Sequence, residues 1–248
     1  MVIAKGVTRA RPPSRSRGQR QACEPQDPAR LSGTRARSSA ADVPRWLTAS
    51  VHVRGRTHSV DLVERQAERA EDIAHTLLEK PLPRRWAHTQ GVAARARTLA
   101  PILGDAAGLI EAAAWLHDIG YSPALAATGF HPLDGARYLR DVQVGGDVLC
   151  RLVANHSCAI IEARQRGIAN ELSNEFLRAD PALEDALNYC DMTTAPDGLP
   201  VCVQSRLSEI VKRYSPFDVV TRFITKAKPD LIASVGRVSG RLDVAAAH

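Results

Sequence analysis

From about residue 61 onward, apolar side chains recur at three- and four-residue intervals, the spacing of helices that bury one face. Leu62, Ala70, Ile73, Ala74, Leu77 and Leu78 mark such a face through residue 80, where Pro81 and Pro83 remove amide donors and end the run. A second helix is predicted over 84–99, with Trp86, Val92, Ala93, Ala96 and Leu99 turned inward. Leu103, Gly104 and Asp105 supply a turn and an N-cap for a third, whose inner face is Ile110, Ala113, Ala114 and Leu116 and whose left-handed C-cap is Gly120. Further helices are expected over 131–142, 147–155 and 180–191, the last with Asp180 as N-cap and Pro181 in its first turn. Residues 159–176 are helical in composition but weakly periodic and read as a surface insertion. Ala195 to Gly198 form a turn by their chemistry, and three helices follow, over 202–214, 215–228 and from Pro229 toward Leu242. The pattern contains neither alternating strand runs nor internal repeats. The expected class is therefore all-α, a single compact helical domain over 58–248.

Composition changes the picture only at the N-terminal end. Residues 1–45 carry ten Lys or Arg against Glu24, Asp27 and Asp42, so the chain's net charge of +6 belongs to this stretch and the remainder is close to neutral. The segments RARPPSRSRGQR and ARLSGTRARSS are rich in Arg, Pro, Ser and Gly and poor in large apolar residues. Residues 1–57 are accordingly read as a disordered basic tail and linker. Nucleic acid is an unlikely partner, reachable only through this tail, since no aromatic residues are interleaved to stack on bases. SVHVRGRTHSV, with His52 and His58, reads as a strand or loop with exposed histidines. No apolar run is long enough to span a membrane. Five cysteines without a CxxC pair suit a reducing compartment, which points to the cytoplasm.

The candidate chemistry is concentrated in AAAWLHDIGY, residues 112–121, where an apolar helix ends in His117 and Asp118. Such a helix has no structural need for this pair, and the unpaired carbonyls of its last turn leave partial negative charge where a cation could sit. Successive side chains on a helix point about 100° apart, so two alone cannot enclose a metal. His88, His131, His156 and Asp191 lie on or beside other helical stretches and can complete the site. Ser122 and Ser157 have no separate His–carboxylate pair to activate them as nucleophiles. Cys158 and Cys190, beside the proposed ligands, read as packing residues.

The ordered set His, His-Asp, His, His, Asp resembles the HD-domain superfamily of metal-dependent phosphohydrolases, in the form whose central dyad reads HDIG. The flanks VAARARTLA, LDGARYLR and ANHS add to the likeness, which extends over residues 75–209. Its nearest counterpart is the six-ligand subgroup that includes the symmetrical diadenosine tetraphosphate hydrolases. That resemblance implies one ion held by His88, His117, Asp118 and Asp191, and a second by His131 and His156, with the Asp118 carboxylate bridging. It also implies His117 and Asp118 as the catalytic core.

Two divalent ions follow, Fe or Mn foremost, with Co, Ni and Zn also suited to these ligands. The implied reaction is hydrolysis of a phosphoester or phosphoanhydride of a nucleotide or similar small molecule by a metal-bridging hydroxide. The alternatives are a di-iron oxygenase with the same ligand order, or a silent metal-binding regulatory module. The chain departs from the pattern at Tyr121, where many relatives carry Lys, and in MTTAPDGLP, which lacks a basic substrate-contacting segment. Arg84, Arg85 and Arg137 are the expected substitutes for that positive charge.

Overall fold

In a computed structural model the described residues are 59–247. The expected tail and linker over 1–57, with His52, lie outside them, as does His58. Among the described residues eleven α-helices are formed, joined in places by short 3₁₀ turns, and the only β pairing there is an isolated bridge between Thr194 and Pro200. The described residues are all-α, and their helices make a single domain. No single helix among the described residues is long and apolar enough to cross a membrane.

Helix α4 (Ala107–Leu116) is the centre of the packing. Ile110, Ala112, Ala113, Ala114 and Leu116 are fully buried and Trp115 nearly so, which is the signature of a helix apolar round most of its circumference, with Glu111 turned out to Arg97. It is covered by α1 (Ser59–Leu78), α2 (Pro83–Arg97), α6 (Gly146–Asn155) and α9 (Pro181–Met192). The small residues of α4 let these neighbours approach closely, and Trp115 stacks on Trp86 of α2 with ring centroids 5.5 Å apart. Two other layers complete the body: α5 (His131–Asp141) lies on α6, and α10 (Val203–Arg213) and α11 (Val219–Ala246) build a second apolar cluster around Leu207, Ile210, Phe223, Ile224 and Leu231.

Four expectations are corrected. Asp105 does not cap α4; Ala100–Leu103 is a short helix, α3, and Gly104–Ala106 a 3₁₀ turn leading into α4. Gly120 is not a left-handed cap. It lies in the 3₁₀ turn Ile119–Tyr121, and its requirement is space: a Cβ there would stand 2.0 Å from the His131 carbonyl oxygen. Residues 159–176 are not a surface insertion but α7 (Ala159–Arg166) and α8 (Ala169–Glu175), reversed at left-handed Gly167 and anchored by buried Ala159, Ala163, Leu172 and Phe176. The break expected at Pro229 does not occur, because Phe223, Ile224, Ala227, Leu231, Val235 and Val238 keep one continuous buried face across it. Packing along 28 residues outweighs a proline penalty of about 3 kcal/mol.

The close approach at Gly120 joins the end of α4 to the start of α5 and so sets the distance between Asp118 and His131. Replacing Gly120 with Ala is expected to destabilise the fold by about 2 kcal/mol or more. Urea unfolding followed by circular dichroism measures this; a midpoint equal to wild type would contradict the packing described.

Candidate metal centre

Several backbone arrangements bring the six side chains together. Pro83 opens α2 without needing its missing amide, which places His88 on the helix's second turn, facing inward. The turn after α9 closes over that helix: Gly198, at φ 82°, lies so near Gly91 that a Cβ on either would strike the other segment's backbone, and the Ala195 carbonyl accepts from His88 Nδ1 at 3.1 Å. At the end of α4 the 3₁₀ turn presents Asp118. The loop leading to α5 is tied by Asp134, whose buried carboxylate accepts from the Thr128 hydroxyl and from the Ala127 and Thr128 amides, so His131 enters its helix from a fixed direction.

A further arrangement is a strained one. After α6 the chain turns through His156–Cys158, with Ser157 at φ 50° and Cys158 at φ 59°, two successive non-glycine residues in the left-handed region. Each costs on the order of 1–3 kcal/mol and persists only where its surroundings hold it. Here the Ser157 amide donates to Asn188 Oδ1 at 2.7 Å and its hydroxyl donates to Asp191 Oδ2. The turn thereby ties His156 to the end of α9, where Asp191 sits.

The result is two adjacent clusters. His88, His117 and Asp191 each offer a ligand atom within 4.8 Å of the others, and Asp118, His131 and His156 do the same. Asp118 faces both: Oδ2 is 3.2 Å from His117 Nε2 and 4.0 Å from His88 Nε2, while Oδ1 is 3.4 Å from His131 Nε2. The structure thus divides the ligands a little differently from the expected four-plus-two, with Asp118 grouped with the two later histidines and one oxygen turned to each cluster.

The donor set fits metal ions on three observations. His117 and His156 donate from Nδ1 to the carbonyls of Ala114 and Val153, both at 2.7 Å, which makes Nε2 the nitrogen turned inward, available to a metal once it carries no proton. His117 Nε2 is buried and lacks a hydrogen-bond partner. The Nε2 atoms of His131 and His156 stand 3.1 Å apart, near the separation of about 3.0–3.4 Å that two neighbouring ligands with bonds of roughly 2.0–2.1 Å would show.

Electrostatics follow from burial. His131 and His156 are driven toward the neutral form, first by loss of solvent and then by one another's or His117's charge. Burial also lowers His88, with Asp191 opposing it. His117 is the exception: burial would lower it, but Asp118 and Asp191 hold it above its ordinary value. Both carboxyls remain ionised despite burial, Asp118 through Arg85 and the histidines and Asp191 through His88 and His117.

The arginines expected to meet substrate are dispersed. Arg85 is at the site, donating from Nη1 to Asp118 Oδ2 at 2.7 Å and lying 4.0 Å over the Tyr121 ring. Tyr121 in turn stacks on His131 with centroids 3.9 Å apart. The residue that stands where relatives carry Lys therefore positions a proposed ligand. Arg84 is exposed and borders a separate shallow depression with Lys212 and Arg213. Arg137 does not line the site; its guanidinium is taken up by Glu171 and Glu175 of α8.

An open cavity leads to Asp118, His131, His156 and Asp191. Arg206 and Glu162 line it and were not anticipated. The signal for Arg206 was present in the sequence: it occupies the buried stripe Val203, Arg206, Leu207, Ile210, where an amphipathic helix would otherwise place an apolar residue. For Glu162 no comparable signal exists, because α7 is only weakly periodic.

Residues 85–196 match the HD domain family model, which supports membership of the HD superfamily, most of whose members are metal-dependent hydrolases. No curated protein and no solved structure matches the chain.

Asp118→Ala is expected to abolish binding at both clusters, whereas His131→Ala or His156→Ala should remove one ion and leave the other, as read by elemental analysis. Two ions retained in any of these variants would contradict the grouping. Metal binding also requires His117 to lose a proton that the two carboxylates favour. Affinity should therefore fall as pH is lowered, with proton release on loading; a pH-independent affinity would contradict it.

Proposed function

We propose that this chain is a dinuclear metal-dependent phosphohydrolase acting on a phosphoester or phosphoanhydride of a nucleotide or similar small molecule in the cytoplasm. The observation that carries the proposal is Asp118, buried between two ligand clusters with one carboxylate oxygen toward each. The match to the HD domain model supports the reaction class, and the six-ligand order, by which the chain resembles the symmetrical diadenosine tetraphosphate hydrolases, supports two ions rather than one. The imidazole and carboxylate donors suit Fe or Mn, with Co, Ni and Zn as further choices.

Ions of this kind act as Lewis acids on phosphoryl oxygens and lower the pKa of water, which is the chemistry the site would gain when loaded. The chain's own part is positional. The Nδ1 bonds of His117 and His156 hold their rings in one tautomer, Tyr121 fixes the plane of His131, and Arg85 places a guanidinium beside Asp118 where a phosphate would lie. The described cysteines Cys150, Cys158, Cys190 and Cys202 are free thiols, in keeping with a reducing compartment.

Protein loaded anaerobically with manganese or iron should release phosphate, or a nucleotide product, from a panel of mononucleotides, dinucleoside polyphosphates and sugar phosphates. His117→Ala should reduce this to the background rate. Oxygen uptake with a mixed-valent iron signal and no phosphate release would replace the proposal with an oxygenase, and metal binding without turnover of either kind would leave a regulatory module.

A further inference from the structure

The part of the cavity wall formed by α10 and α11 has a chemistry of its own. Arg206 is only 5% exposed, yet it lines the cavity and its Nε has no hydrogen-bond partner. One side of its guanidinium is held by Glu209, with Nη1 2.9 Å from Oε2. Nη2 stands 3.9 Å from Asp191 Oδ1, too far for a hydrogen bond and near enough to sit beside whatever occupies the site. A buried guanidinium with unused donors costs free energy unless something else completes it, and its planar fork matches phosphate oxygens. Beyond Arg206 the wall is largely apolar: Ile210, Val220, Phe223 and Ile224, side chains that belong to or pack on the second hydrophobic cluster, line the same cavity, with Arg213 and Tyr214 beside them.

Resting on the phosphohydrolase reading, we infer that the cavity is a two-part clamp in which Arg206 binds phosphoryl oxygens and the α10–α11 wall packs an apolar or aromatic face of the ester's organic group. Glu209 fixes the guanidinium from behind without consuming all its donors. The clamp selects phosphate esters of aromatic or nucleobase-bearing groups over those of small polyols. It also supplies the positive charge that the stretch following Asp191 lacks.

Inorganic phosphate tests the polar half independently of turnover. Titrated calorimetrically into the metal-loaded protein, it should bind wild type and lose about tenfold or more of its affinity in Arg206→Gln, with partial recovery in Arg206→Lys and unchanged metal content in both. Unchanged phosphate affinity in Arg206→Gln, or weaker binding accounted for entirely by lost metal, would overturn the assignment and leave Arg206 as a structural partner of Asp191 and Glu209. The apolar half is read from KM. Val220→Thr, nearly isosteric, should raise KM for phenyl phosphate several-fold and leave that for glycerol phosphate unaltered; equal effects on both would overturn it. Phosphate binding that depends on Arg206 in a protein that hydrolyses no phosphate ester would count against the hydrolase reading alone.

Discussion

The arrangement of this domain turns on where one carboxylate is held. Asp118 is 3% exposed, and a buried carboxylate is tolerated only when cations or hydrogen-bond donors surround it. Arg85, His88, His117 and His131 do so from α2, from the end of α4 and from the start of α5. Several helices must therefore meet at one point. The small residues of α4 permit the meeting, Gly120 allows α5 to begin against the dyad, and the Gly91–Gly198 contact presses the turn after α9 onto α2 beside His88.

Stability and function are in tension at this point. Four imidazoles and two carboxylates in one pocket form a poor core, and the left-handed turn at Ser157 and Cys158 adds strain. The structure tolerates these costs because apolar packing surrounds them, with most of α4 buried and two hydrophobic clusters flanking the site. Arg85 and Arg206 lend positive charge to the two carboxylates. Arg85 is further fixed by Tyr121, so the stack of Arg85, Tyr121 and His131 links the arginine expected to meet substrate to a proposed ligand.

Much of this was legible in the sequence, because a helical period and a His-Asp pair at the end of an apolar helix are local signals. The ordered histidines and aspartates pointed to the same six positions that the fold gathers, and Asp180 caps α9 as its position suggested, accepting from the Ala182 amide. What escaped depends on tertiary contact. Gly120 read as a helix C-cap and Gly198 as a turn residue, yet Gly120 lets backbones touch, and Gly198 does so as well as turning. Pro229 read as the start of a separate helix, but a buried face continuing on both sides keeps α11 intact. Arg137 and Arg85 were indistinguishable as helical arginines; only packing shows that one meets Glu171 and Glu175 and the other Asp118.

The most direct test of a shared carboxylate between two ions is anomalous diffraction at the metal absorption edge from crystals grown with manganese or iron. The account predicts two peaks, one within bonding distance of His88, His117 and Asp191 and the other of His131 and His156, with an oxygen of Asp118 bound to each. A single peak, or two peaks of which only one contacts Asp118, would contradict it.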